Sequence, residues 1–180
     1  MIGQLLRPVR AGEKHLAGND PAIRAVPATL TLSSPAFRPG GTIPARYAGR
    51  GVGGNISPAL NWSGVPDGTG QLVLIVEDRD APLPRPIAHV LAVLPAEPPE
   101  LAEGGLSPGD TVRLGRNSLG HSAYDGPRPV PGHGPHTYVF QLFALGQPLT
   151  LGPSFTRRDL LAAMRGVVLA RGRLDGTYER

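Results

Sequence analysis

The stretch Leu72-Val73-Leu74-Ile75-Val76-Glu77-Asp78-Arg79-Asp80-Ala81-Pro82 passes directly from a continuous Leu and β-branched run into an acidic turn closed by proline. Such a run, entered from the turn Pro66-Asp67-Gly68, reads as a strand buried on both faces. His89 to Leu94 repeats the pattern and ends at Pro95, and Thr137 to Leu145 is a third and longer apolar run. Thr29-Leu30-Thr31-Leu32 alternates and reads as the first strand. Residues 95 to 110 form a Pro/Gly-rich loop. Thr156-Arg157-Arg158-Asp159 has the form of a helix start capped by Thr156, with Leu160, Met164, Val167 and Val168 at helical spacing. Gly166 weakens the later turns, and Val168 to Leu174 alternates again, so a short helix leads into a last strand. The expected architecture is mostly β, in two sheets or one large one, with one or two peripheral helices.

The 180 residues suffice for one domain with its own core. Gly and Pro number 25 and 21, but they punctuate long apolar runs, which argues for a loop-rich β protein rather than disorder. Cysteine is absent, which excludes disulfides, thiolate metal sites and a cysteine nucleophile. The net charge of +4 comes almost entirely from arginine, with Lys14 the only lysine. The arginines are scattered and not interleaved with aromatics, so nucleic acid is not an expected partner. Met1 to Val9 lacks the pattern of a secretory signal, and no segment has the length of a membrane span, so a cytoplasmic protein is expected. Residues 1–28, broken by Pro8, Pro21 and Pro27, are read as an extension, packed on the domain or partly mobile. Residues 29–180 are read as the single domain.

The polar residues at the mouths of the strands are the candidate site. Asp78 and Asp80 share a face if the chain stays extended, and so do His136 and Tyr138 at the start of another strand. His89 opens a third. Each residue alone has a plainer reading: turn chemistry for the Asp pair, a satisfied polar residue for the His, and a core phenol for Tyr138. Other motifs are weaker. Gly49-Arg50-Gly51-Val52-Gly53-Gly54 matches G-x-G-x-x-G, but Asn55-Ile56-Ser57-Pro58 follows where a phosphate-binding helix must begin. His133-Gly134-Pro135-His136 could start a metal site only with further Asp or His ligands such as His89. Ser118 and Ser122 near His121 lack the elbow of a serine hydrolase.

Four segments together resemble the phosphatidylethanolamine-binding protein family, which includes the Raf kinase inhibitor proteins and bacterial relatives. They are Asn55-Ile56-Ser57-Pro58-Ala59-Leu60-Asn61-Trp62; the Asp-x-Asp-Ala-Pro segment with His89; Arg116-Asn117-Ser118-Leu119-Gly120 with Tyr124 and Gly126-Pro127; and Gly132-His133-Gly134-Pro135-His136-Thr137-Tyr138-Val139-Phe140. The resemblance covers roughly residues 33 to 178. It implies a β-sandwich of antiparallel sheets and a small pocket for phosphate-like anions. It assigns Asp78, Asp80, Pro82, His89, His136 and Tyr138 to that pocket, with Pro129 at the rim and the Ala81–Pro82 bond cis. The chain departs from the family pattern at Arg79, usually proline, and at Val130 after Pro129. Arg79 then lies either outside the pocket or at its edge.

Two carboxylates beside an anion make sense if they orient and charge the histidines, so that imidazolium and the Tyr138 hydroxyl donate to the ligand. On that basis anion affinity falls between about pH 6 and 8 through a raised histidine pKa, and His136 carries the dependence. The first expectation is a binding protein for a small anionic ligand, phosphate-like or a phospholipid headgroup, that regulates another protein. The second is an enzyme using the Asp/His/Tyr pocket for acid–base chemistry such as cyclisation or dehydration, and the third a kinase or protease inhibitor. No cofactor and no metal are expected. A homodimer is allowed for, and a protein partner is not identified.

Overall fold

The computed structural model describes residues 2–109 and 111–180. Met1 and Asp110, the outer ends of the N-terminal and loop readings above, lie outside the described residues. A five-residue helix, α1 (Ile2–Leu6), opens the chain, followed by β1 (Thr31–Ser33), β2 (Leu60–Ser63), β3 (Gln71–Asp78), β4 (Ile87–Leu94), β5 (Glu100–Leu101), β6 (Arg113–Leu114), β7 (His136–Leu145), α2 (Arg157–Met164) and β8 (Val168–Tyr178). The three apolar runs are β3, β4 and β7. They lie side by side in a five-stranded sheet of order β6-β4-β3-β7-β8, and a smaller sheet has order β1-β2-β5. Every pairing between these strands is antiparallel.

The runs are apolar throughout because both faces of the large sheet are covered. Leu72, Leu74 and Val76 of β3 and Phe140 and Leu142 of β7 pack with Leu32, Leu60 and Trp62 of the small sheet. The opposite face carries Val73, Ile75, Leu91, Val93 and Phe143, covered by Leu160, Leu161 and Met164 of α2 and by Ala17 and Ile23 from the N-terminal stretch. The helix starts where the sequence places it. Thr156 accepts from the Asp159 backbone N–H, and the Asp159 carboxylate accepts from the Thr156 N–H at 2.9 Å, so Asp completes the capping box.

The first strand is displaced from its expected span. Leu30 donates to the Arg171 carbonyl, and Arg171 donates to Pro27, so residues 27–30 run against β8 before β1 reaches β2. That close approach requires a glycine: a Cβ on Gly172 lies 2.6 Å from the Leu30 carbonyl oxygen. The glycine-rich segment 49–54 meets no helix. Gly49 and Gly53 sit against backbone atoms of Gly126 and Ala45, and Asn55 follows with φ 51°.

Glu77 fixes the second face. Its side chain is completely buried and accepts from Arg157 Nε at 2.6 Å, from the Ala17 N–H at 2.8 Å and from Gln141 Nε2 at 2.7 Å. One carboxylate thus joins β3, β7, α2 and the N-terminal stretch. Removing one partner of a buried ion pair leaves an uncompensated charge, which costs about 3 kcal/mol. Arg157→Ala is therefore expected to lower the unfolding free energy by about that much, read as a lower urea midpoint at unchanged slope. Alanine at the exposed neighbour Arg158 should change it by less than about 0.5 kcal/mol. Equal effects of the two substitutions would show that the Glu77 network does not hold the helix to the sheet.

Candidate functional site

Because β3 is antiparallel to both β4 and β7, the end of β3 and the beginnings of its two neighbours meet at one edge of the sheet. Asp78 is the last residue of β3 and stands opposite Tyr138 of β7. It continues the face of Leu72, Leu74 and Val76, so its side chain enters the sandwich interior. Val76 pairs with Val90, whereas Glu77 pairs with Ala88. His89 is therefore the extra residue of a β-bulge, and the bulge aims its ring at the same end of the core. The distorted backbone there is satisfied from outside the sheet, since the His89 carbonyl accepts from Asn117 Nδ2 at 3.1 Å.

Asp78 and His89 line a cavity of about 90 Å³ together with Ala81, Pro82, Ile87, Leu119, Arg128, Pro129, Val130 and His136. Of the expected site residues, Asp78, Pro82, His89, Pro129 and His136 are brought together. Pro82 reaches the wall through a trans Ala81–Pro82 bond, where a cis bond was expected; the cis bond among the described residues is Glu97–Pro98. The reversal comes instead from a tight turn centred on Pro82, in which Leu83 N–H donates to the Ala81 carbonyl at 2.8 Å.

Asp80 and Tyr138 do not line the cavity. The chain turns after Asp78, with the Asp80 N–H donating to Asp78 Oδ1 at 2.9 Å, and this directs the Asp80 carboxylate away. It accepts from the Thr137 N–H at 2.7 Å and pairs with Arg10 at 3.0 Å. Burial opposes its ionisation, but the Thr137 N–H and the Arg10 guanidinium outweigh burial and hold its carboxyl below the usual range. Arg79 points outward to Glu13. Tyr138 packs edge-on behind the His89 ring, 5.2 Å between centroids. Its hydroxyl is buried without a hydrogen-bond partner, and burial, then the Asp78 charge, push its pKa well up. The phenol stays protonated behind the wall and is not a lining donor.

The two histidines differ. His136 uses both ring nitrogens within the protein: Nδ1 lies 2.7 Å from Asp78 Oδ2 and Nε2 lies 2.7 Å from His133 Nδ1. It has no nitrogen left for a ligand. His89 Nδ1 donates to the Asp125 carbonyl at 2.7 Å, which fixes the tautomer and leaves Nε2 without a protein partner, as the ring nitrogen that opens on the cavity. Burial lowers the His89 pKa, against the opposing effects of the Asp78 charge and the Asp125 carbonyl. Desolvation outweighs the carboxylate and favours the neutral ring over the charged one expected from the sequence.

Arg128 is the lining residue that strand reasoning missed. It belongs to no strand, and its only trace in the sequence is its place beside Pro129. A 90 Å³ cavity is far below the several hundred Å³ of a drug-sized site. It fits a group of a few heavy atoms, met by His89 on a wall of Ala, Ile, Leu, Val and Pro; the exposed Arg128 also lines it, while its guanidinium donates to the Arg50 carbonyl at 3.4 Å.

The family model described as phosphatidylethanolamine-binding protein matches residues 33–179. A UPF0098 protein of Aquifex aeolicus is 36% identical over 156 residues, covering 85% of this chain and 90% of the relative. A UPF0098 protein of Methanothermobacter thermautotrophicus is 39% identical over 155 residues, 84% of this chain and 99% of the relative. Among solved structures, the phosphatidylethanolamine-binding protein homolog CT736 of Chlamydia trachomatis superposes with a TM-score of 0.76 at 35% identity, over 84% of this chain and 98% of that one. Escherichia coli YbcL, described as a new member of the mammalian family, gives 0.78 at 27%, over 85% and 99%. With its two antiparallel sheets and a family match over residues 33–179, the chain belongs to the phosphatidylethanolamine-binding protein family.

Proposed function

We propose that the chain binds small phosphate-like anions, free or as the headgroup of a larger molecule, in the cavity at the mouth of β3, β4 and β7. The observation that carries this reading is His89, whose Nε2 has no partner among the described residues, in a cavity that Arg128 also lines and whose one lining carboxylate is already engaged. Asp78 accepts from Asp80 N–H on one oxygen and pairs with His136 through the other, so its charge is directed into the wall. Arg128 adds a permanent positive charge if its guanidinium, which donates to the Arg50 carbonyl at 3.4 Å, turns to the mouth. His89 supplies a donor once it takes up a proton. Each charge-assisted bond contributes roughly 1.5–3 kcal/mol, and after desolvation and ordering the affinity for a bare anion is about 1 mM to 1 µM.

The sign of the pH dependence follows from the lowered His89 pKa. An anion that needs a donor at Nε2 stabilises imidazolium, so binding takes up a proton wherever free His89 is neutral. Affinity then rises as pH falls toward and below the reference histidine value of about 6.5. The dependence belongs to His89, whereas His136 has no free nitrogen. Sulfate is the probe, since it remains dianionic throughout. Calorimetry at about pH 7 in buffers of differing ionisation enthalpy should show close to one proton taken up per sulfate. His89→Ala should abolish that uptake and weaken binding roughly tenfold. Uptake of no proton by the wild-type protein would remove His89 as the anion's donor.

The same tautomer favours a second reading. A neutral imidazole locked as Nδ1–H by a carbonyl presents a lone pair to the cavity, which is the form of a general base. An acid–base enzyme acting on a small molecule is therefore the alternative. Turnover of a candidate substrate that rises with pH through the His89 titration and is lost in His89→Ala would favour catalysis over binding. Turnover unaffected by that substitution would eliminate this alternative.

A further inference from the structure

The N-terminal residues pack against two segments that adjoin the pocket, residues 79–81 and 131–135. Gly3 packs against the 131–133 backbone, and a Cβ there lies 2.9 Å from His133 N. Arg7 Nε donates to the Gly132 carbonyl at 2.9 Å and Arg10 Nη1 to the Pro135 carbonyl at 3.1 Å. Ala11 and Gly12 donate to the carbonyls of Ala81 and Arg79. The family match begins at residue 33, so this strap lies outside it.

The strap also enters the acid–base chemistry. His133 is fully buried, and its Nε2 lies 2.8 Å from the Leu6 carbonyl and 3.2 Å from that of Val9. A carbonyl only accepts, so His133 Nε2 carries a proton. Between His133 Nδ1 and His136 Nε2, 2.7 Å apart, there is one proton, because two lone pairs repel and two N–H groups collide. His136 Nδ1 and Asp78 Oδ2, also 2.7 Å apart, share another. The line from Leu6 to Asp78 thus holds three protons on two imidazoles and a carboxylate. Two neutral rings beside an ionised Asp78 hold only two. The third proton makes the line neutral overall, whereas two protons leave it with a net negative charge beside the anion pocket.

We propose that the N-terminal strap sets the proton count of this line, and that His133 is a positioning residue through which the strap makes the pocket fit for anions. With the Leu6 carbonyl in place, His133 must donate to it, and the extra proton is held. With the strap displaced, His133 can turn to the neutral Nδ1–H form and donate to His136, so the third proton is no longer required and the Asp78 charge stands uncancelled. The charged and titratable groups around the line are Asp78 and Asp80 from the end of β3, His89 from β4 with Asp125 behind it, Tyr138 from β7, Arg128 at the mouth, and Arg7 and Arg10 from the strap. This inference rests on the anion-binding reading for its effect on affinity, but not for the proton count.

Imidazole nitrogen NMR on the whole chain at about pH 7, without sulfate, counts the protons directly. The wild-type protein should show three protons over the four ring nitrogens of His133 and His136 and the Asp78 carboxyl, the last read from its carboxyl carbon shift. Gly3→Val, whose side chain cannot occupy the space against the 131–133 backbone, should show two, and its sulfate affinity should fall roughly tenfold. Arg7→Ala combined with Arg10→Ala loosens the strap without adding bulk and should act in the same direction. His133→Gln keeps a donor for Leu6 and an acceptor for His136, so its sulfate affinity should stay near wild type, whereas His133→Leu should lose about tenfold. Two protons in the wild-type protein, or three in all strap variants, would overturn the proposal. Three protons falling to two in a protein that binds no sulfate would sustain the strap's role and overturn the anion reading instead.

Discussion

The last two residues of the central strand, Glu77 and Asp78, are both carboxylates, and strand alternation drives them into opposite faces of a sheet buried on both sides. Neither reaches bulk water, so each must be compensated where it lies. Much of the remaining structure follows from that constraint. On one face Glu77 gathers Arg157 from α2, Gln141 from β7 and the Ala17 backbone. On the other, Asp78 gathers His136 and the Asp80 N–H, and through His136 it reaches His133 and the Leu6 carbonyl. The N-terminal stretch satisfies both ends of the acidic pair, which explains why a polar, proline-broken segment lies on the sheet with Leu16, Ala17 and Ile23 buried.

The same constraint separates a structural site from a ligand site. Glu77 has three donors, one of them the Arg157 guanidinium, all supplied by the protein itself. Asp78 has its donors in the wall and in the turn, which leaves the imidazole of His89 as the lining group with a ring nitrogen unpartnered among the described residues. An anion pocket lined by a carboxylate is workable because that carboxylate is spent on the protein itself.

The sequence made the large sheet legible because three apolar runs with no polar alternation can only be strands covered on both faces. It made Asp78, His89 and His136 legible because an ionisable residue at the end of such a run needs either a partner or a ligand. It did not reveal the bulge, since the extra residue at His89 is visible only in how β3 and β4 align. It misplaced Asp80, which extended geometry puts beside Asp78, because a single Asx-type hydrogen bond from Asp80 N–H turns the chain. The first strand is read from Thr29 because Thr29 to Leu32 alternates, yet Leu30 pairs with β8 and β1 starts at Thr31. The Leu6–His133 contact joins residues 127 apart in the chain and leaves no periodic trace.

The roles of the histidines were the least legible part, and the reason is the balance of two opposing forces. Proximity to carboxylates suggested two imidazolium donors, but proximity counts only after desolvation. His89 has Asp78 nearby without a direct hydrogen bond to it, so burial prevails and favours the neutral ring. His136 has a direct bond to Asp78 and a second histidine behind it, so the hydrogen bonds themselves dictate where protons sit. Two residues of one type at the same pocket therefore differ: one has a ring nitrogen without a protein partner among the described residues, and the other is held between Asp78 and His133. A residue list cannot make that division, because it depends on the partner of each ring nitrogen.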